Sequence, residues 1–462
     1  VRRPHPRYPG GVPEDRLHRT WLNSDRFLPR RFLRPVLRFT RVEAAGGLVL
    51  LVATAAALAW ANLPGGESYA RFWATQVDFT LGPFSLHETL HGLVGDGLMT
   101  LFFFVVGLEI KRELVRGELR DFKTAALPVF AALGGMIGPA VIYLAVVGGG
   151  EAARGWAIPV ATDIAFSLGV LSLLGSRVPV GARLFLLTLA IADDIGGIVV
   201  IAAAYTTDFR LWWLLASLGA LTLVGAANRG GIRSLAFYGT AAFIAWFCLL
   251  ESGVHATLSG VALALLTPAR PLYSDEEYRD RARRTLAGHR ASSLAPFALE
   301  RLDEDALILA MVARESVAPL DRMERALHPW SSFLVVPLFA LANAGVRFAG
   351  VDLGAAALHP VAVGTALGLL AGKVIGISAF TWVAVRLRWG RLPNLTTWRH
   401  VVGVAAVAGI GFTVALFIDG LAFSDPLLAD RAKLGIFAGS ILAGVLGYLV
   451  LRLAPEPSGE SS

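Results

Sequence analysis

The sequence predicts an all-α polytopic membrane protein of about twelve transmembrane helices, two of them broken, arranged as inverted structural repeats. Three observations lead there. Of 462 residues, 55% are hydrophobic and only 17% charged, against roughly 25% charged in soluble domains, and mean hydropathy is +0.60. Mostly apolar runs of about 17–25 residues, long enough to cross a bilayer as helices, recur along the chain. Lys and Arg crowd alternate loops, as orientation in a membrane requires.

The apolar runs are 43–63, 92–113, 124–147, 153–175, 180–205, 211–227, 234–250, 254–268, 328–346, 360–386, 398–420 and 430–453. The seventh and eighth are separated only by "ESG", and the eighth is short. Around this transmembrane domain, 43–453, lie an Arg-rich N-terminal extension, 1–42, and a tail, 454–462, whose "PEPSGESS" composition predicts disorder. No signal peptide is expected in the first 40 residues, which lack a short apolar core and a small-residue cleavage site.

Eleven Arg precede the first run, up to Arg41. Lys111, Arg112, Arg116, Arg120 and Lys123 follow the second. Loops 228–233, 269–327 and 386–399 are also basic, whereas 64–91, 148–152, 206–210 and 251–253 are poor in Lys and Arg. The basic loops all fall on the side of the N-terminus, so both termini are expected in the cytoplasm. The net charge of +7 reflects this asymmetry rather than nucleic-acid binding. In loop 64–91, "VDFTLGPFSL" alternates around Gly-Pro and reads as a hairpin. The long loop 269–327 mixes acid, base and Ala, and is expected to contain solvated helix. The single cysteine, Cys248, excludes an internal disulfide.

Ionisable residues stand deep in three runs: Asp193 and Asp194 in "LAIADDIGGI", Asp163 in "IPVATDIAF", and Lys373 in "LLAGKVIGI". Charge at the bilayer centre costs roughly 2.5–3.5 kcal/mol even on insertion scales, and such residues mark ion or proton paths. Three carboxylates and one ammonium leave a surplus negative charge, suited to taking up a small cation or protons in alternation. Neighbours on a helix point about 100° apart. One aspartate of the pair can therefore face a cation site shared with Asp163 while the other faces Lys373. Gly372 and Gly376 flank that lysine one turn apart and would admit a close neighbouring helix. Snorkelling to an interface is the alternative for Lys373.

Pro159 stands shortly before Thr162 and Asp163, and Gly409, Gly411 and Thr413 interrupt the run 398–420. Interrupted helices at corresponding places of two halves point to a transporter site. Both interruptions fall in the second run of a group of three, 124–205 and 360–453, which suits an inverted repeat. Asp96 and Glu88 lie near the external mouth and are expected to be solvated. Asp419, at the end of its run, is a candidate for the exit path.

"LFFFVVGLEIKREL", "ATDIAFSLGVL", "LAIADDIGGI", "SGVHATLSGV", "LHPWSSFLVVPLFALANAGV", "GKVIGI" and "GIGFTVALFI", in this order, resemble the NhaA sodium–proton antiporters of bacterial inner membranes. The resemblance runs from about residue 43 to 453. It implies twelve spans, two broken helices crossing near the midplane, and exchange of cytoplasmic Na⁺ (or Li⁺) for external protons. The implied exchange is electrogenic and rises toward alkaline pH. By the same resemblance Asp163 and Asp194 bind the cation or protons, Asp193 pairs with Lys373, and Thr162 is a ligand or close neighbour of the ion. Glu109, Arg112, Glu113, Glu324 and His328 match a cytoplasmic cluster tied to the pH response, and His255 is associated with it as well. A hydrogen-bonded structural role is the alternative for His255. The resemblance further implies a homodimer held partly by the 64–91 hairpin, no enzymatic activity and no cofactor. The extension before Arg41 and loop 269–327 exceed the family pattern, so regulation carries over least.

Three other classes compete. An intramembrane aspartyl protease also uses two membrane aspartates, but "VGDGL" finds no partner motif. A cation channel would not need Lys373 or broken helices. A sodium-driven organic-anion symporter shares the architecture and would move no counter-proton.

Overall fold

The computed structural model describes residues 43–455, except 82–83, 207–208, 233–234, 293–297 and 349–351. The N-terminal extension and residues 456–462 of the tail lie outside the described residues.

The first apolar run forms α1 (Glu43–Asn62), followed by a short α2 (Glu67–Trp73). The expected hairpin is present: β1 (Gln76–Leu81) pairs antiparallel with β2 (Phe84–Thr89), from Gln76 opposite Thr89 to Leu81 opposite Phe84. Next come α3 (Leu90–Arg116), α4 (Phe122–Val147), the 3₁₀ helix α5 (Glu151–Val160), α6 (Ile164–Leu173), α7 (Val180–Ala204) and α8 (Leu211–Arg229). Two shorter apolar helices follow, α9 (Leu235–Glu251) and α10 (Thr257–Leu266). Loop 269–327 holds α11 (Asp275–Ser292) and α12 (Ala298–Glu315). The chain continues with α13 (Pro319–Asn343), α14 (Leu353–Ala357), α15 (Pro360–Arg386), α16 (Trp398–Val407), α17 (Phe412–Ala422) and α18 (Pro426–Arg452).

Among the described residues, eight helices are long and apolar enough to cross a membrane. The pairs α5–α6 and α16–α17 add two crossings bent by 43° and 49°. With α9 and α10, the order of all twelve predicted runs is reproduced. One boundary moves. The run expected at 328–346 begins at Pro319, where proline at the first turn starts a helix at no cost in hydrogen bonds. The basic loop is correspondingly shorter.

The two groups of three repeat as long helix, broken pair, long helix: α4 to α7 and α15 to α18. Counting each bent pair once, α4 is the third crossing and α15 the tenth. That odd separation makes the groups run in opposite directions, as inverted repeats do.

Small residues bring the groups together. A Cβ on Gly134 would lie 2.2 Å from the Gly376 carbonyl, and one on Gly376 would lie 2.0 Å from that of Gly134. One turn along, a Cβ on Gly138 would lie 2.5 Å from the Gly372 carbonyl. So α4 and α15 touch backbone to backbone, the close approach that small residues four apart permit. Lys373, between the two glycines of α15, is thereby enclosed completely. Gly376→Leu should cost more than the ~1–3 kcal/mol of ordinary overpacking, because the opposing atoms are main chain. Heat unfolding in detergent checks this against Gly219→Leu, whose added Cβ meets nothing within 4 Å. Equal midpoints for the two variants would contradict the close contact.

Candidate functional site

A broken helix leaves amides and carbonyls that must find partners. Here the two breaks satisfy each other. The Asp163 amide donates to the Ile410 carbonyl at 2.6 Å, and the Ser167 hydroxyl donates to the Val407 carbonyl at 3.0 Å. The Thr162 hydroxyl lies 2.8 Å from the Ala408 carbonyl. At the start of α17, the amides of Gly411 and Phe412 both reach the Ser440 hydroxyl at 3.3 Å.

Asp163 joins the two half-helices. It caps α6, with Oδ1 accepting from the Phe166 amide at 3.1 Å. Its Oδ2 accepts from the Thr413 amide at 3.2 Å and the Thr413 hydroxyl at 2.5 Å. One buried carboxylate thus faces the positive ends of both α6 and α17, the placement that helix dipoles favour. It is 3% exposed.

The adjacent aspartates diverge as helix geometry requires. Asp193, 2% exposed, accepts from Lys373 Nζ at 2.5 Å through Oδ2. The Lys373 ammonium also donates to Thr162 Oγ1 at 2.9 Å, and that hydroxyl lies 2.7 Å from Asp193 Oδ2. Lys373 is therefore paired inside the bundle and does not snorkel. Through Thr162 it sits by the Ala408 carbonyl, at the negative end of α16. Asp194 is half-buried. Its carboxylate makes no hydrogen bond or ion pair among the described residues, yet it lies within Coulomb reach of Asp193, Glu109, Asp163 and Lys373.

Glu109 links this centre to a second cluster on the face of the basic loops. It interacts electrostatically with Glu324, Arg112 and Glu113. Arg112 forms an ion pair with Glu324, whose other oxygen is buried without a partner among the described residues. Glu113 Oε2 accepts from the Glu118 amide at 3.1 Å. Arg116 pairs with Asp321 at 2.8 Å and also donates to the Ala269 carbonyl, tying α3 to α13 and the loop. His328 does not join them: one turn beyond Glu324, it is exposed and its ring makes no hydrogen bond among the described residues. His255 Nε2 lies 2.9 Å from the Tyr205 carbonyl, the kind of hydrogen bond a structural role would use. Asp96 and Glu88 are half-buried rather than solvated. Burial pushes the Glu88 carboxyl above its ordinary range, outside the spans.

Sequence reasoning missed Thr413 as the partner of Asp163, and Ser440 as the cap of α17. A threonine in the second glycine-rich break, at the place where Thr162–Asp163 stands in the first, was the available signal for Thr413. Ser440 lies on another helix and gave none.

Two broken helices crossing at a buried carboxylate, with a paired lysine beside them, define a secondary transporter. Residues 37–451 match the family described as Na⁺/H⁺ antiporter 1. The chain is 46% identical to "Na(+)/H(+) antiporter NhaA" of Syntrophobacter fumaroxidans over 92% of its length and 93% of the relative's. It is 47% identical to the protein of that name from Anaeromyxobacter sp., over 93% of both chains. It is 45% identical to "Na(+)/H(+) antiporter NhaA 2" of Sorangium cellulosum, over 95% and 94%. The chain belongs to this sodium–proton antiporter family. It is a multi-pass bacterial membrane protein and a transporter, not an enzyme.

Proposed function

We propose that the protein exchanges cytoplasmic Na⁺ or Li⁺ for external protons across the inner membrane, electrogenically and with activation at alkaline pH. The carrying observation is that Asp163, fixed on two helix ends, lies within Coulomb reach of Asp194, which is half-buried and free of hydrogen bonds among the described residues. Na⁺ suits oxygen ligands, and carboxylates at such a site bind either the hard cation or protons. The two compete, so each displaces the other and leakage is limited. The carboxylates titrate as a coupled set, with no value belonging to one residue. Deprotonation on the cytoplasmic side admits sodium, one bundle rocks against the other, and external protons expel it. Asp193, Lys373 and Thr162 support the crossing. If the Asp193–Lys373 pair opens during the cycle, Lys373 can release a proton, and more than one proton moves per sodium.

The charge distribution supports cytoplasmic termini, since the basic loops share the N-terminal side. The two-stranded sheet, with both outer edges unpaired among the described residues, supports a homodimer through the hairpin. The exchange reading is tested with acid-loaded proteoliposomes. External NaCl should raise internal pH where KCl does not, increasingly so toward alkaline pH. Sodium entry without proton movement would refute exchange.

Glu109, Arg112, Glu113 and Glu324, with His255 and His328 more remote, are proposed to set the pH response. Loss of a cation favours the protonated form of the carboxylates facing it. Arg112→Ala should therefore move half-maximal activity to higher pH by about one unit, the lower end of the effect of an adjacent arginine. A profile superimposable on that of the unmodified protein would remove the cluster from regulation.

A further inference from the structure

Asp419 was placed by the sequence at the end of a span, but the fold buries it completely, and neither carboxyl oxygen has a hydrogen-bond partner among the described residues. A polar group so enclosed is costly whatever its protonation state, so it does not serve stability. It lies six residues beyond Thr413 on α17, roughly 9 Å along the helix axis.

Its surroundings form a line from the crossing to the hairpin face. Tyr143 and Tyr205 both feel its charge. Each tyrosine hydroxyl is anchored by donating to a carbonyl of α5, Tyr143 to Ala152 and Tyr205 to Arg154, both at 2.8 Å. The Tyr143 oxygen therefore keeps acceptor capacity, while that of Tyr205 also faces the Ala157 amide. The charged side chains of α5, Glu151 and Arg154, are exposed. On the other side Asp430 and Lys433 of α18, 3.8 Å apart, interact electrostatically with Asp419. Lys433 in turn lines a cleft of about 350 Å³ with Tyr69, Trp73, Thr89 and His91, beside the hairpin.

We infer that Asp419 is a proton station between this cleft and the crossing. Building on the exchange reading above, it gives its proton to the vacated carboxylates at the crossing as sodium leaves. It is then reprotonated from external water through the cleft. The Asp419 O–H bond breaks, a carboxyl O–H forms at the crossing, and water on the hairpin side restores the first.

The test uses the full-length protein in proteoliposomes, with Asp419→Asn, Asp419→Ala and Asp419→Glu. Because no hydrogen bond is lost, both neutral variants should fold with unchanged sodium affinity, read by sodium-dependent thermal stabilisation. Their exchange should slow by about 100-fold, the lower end of the range for a lost proton-transfer group. The deficit should be greatest when the hairpin side is alkaline and protons are scarce there, and Asp419→Glu should restore most of the rate. Exchange within about twofold of the unmodified protein at every external pH would overturn the inference, being far below the effect of a lost proton carrier. So would weakened sodium binding, which makes Asp419 a cation ligand, or a lower unfolding midpoint in both neutral variants, which makes it a structural group. If the unmodified protein itself moves no protons with sodium, the exchange reading fails instead.

Discussion

Asp194→Asn should abolish sodium-driven proton movement while leaving the fold intact. The Asp194 carboxylate takes part in no hydrogen bond or ion pair among the described residues, so the amide of equal size breaks none. What it removes is the charge. Even groups that only orient a metal ligand are worth about 10–100-fold in affinity, so losing a direct ligand should weaken sodium binding by about 100-fold or more. Asp163→Asn should also stop exchange, but with a structural cost. An amide nitrogen cannot accept from Phe166 or Thr413, so one of the two helix ends loses its partner. The pair of variants thus separates cation binding from assembly of the crossing. Calorimetric sodium titration and heat unfolding, run side by side, check both. Unchanged sodium affinity in Asp194→Asn would remove that residue from the site.

Lys373→Ala should destabilise the protein strongly. The lysine is fully enclosed, and its removal leaves Asp193 buried with a single hydroxyl neighbour, Thr162. Breaking a buried pair by deleting one partner costs about 3–5 kcal/mol. Replacing Asp193 as well, in Asp193→Asn/Lys373→Ala, should recover much of that loss, because no unpaired charge remains. If Lys373 also carries a proton in the cycle, the lysine variant should lose its response to membrane potential, worth about 2.3 kcal/mol per net charge per 100 mV. Exchange under potassium–valinomycin clamps measures this. An unchanged voltage response together with an unchanged unfolding midpoint would refute both roles.

Much of the fold was legible because bilayer thickness imposes a length on every apolar run, and loop charge imposes a parity. Those constraints act residue by residue, so the order of the twelve runs, the hairpin and both breaks could be read from α1 to α18. Gly372 and Gly376 were legible for a similar reason: only a close helix contact needs two glycines one turn apart beside a buried charge. The start of α13 at Pro319 was not legible, since Arg322, Glu324 and Arg325 hide the helix from hydropathy.

The sequence by itself determined which residues are out of place in a membrane. Asp163, Asp193, Asp194 and Lys373 are conspicuous wherever they point, because charge at that depth in hydrocarbon is costly before any partner is found. Only the tertiary structure decided who meets whom. It set Asp163 on both half-helix ends through Thr413, closed Asp193 onto Lys373 and Thr162, and left His328 outside the cluster that the resemblance implied. It also sealed Asp419 in the bundle with no hydrogen-bond partner among the described residues. Those outcomes depend on which faces of α4, α7, α15 and α17 turn toward one another. Such rotations are fixed by packing between distant segments, and hydropathy along a single chain carries no record of them.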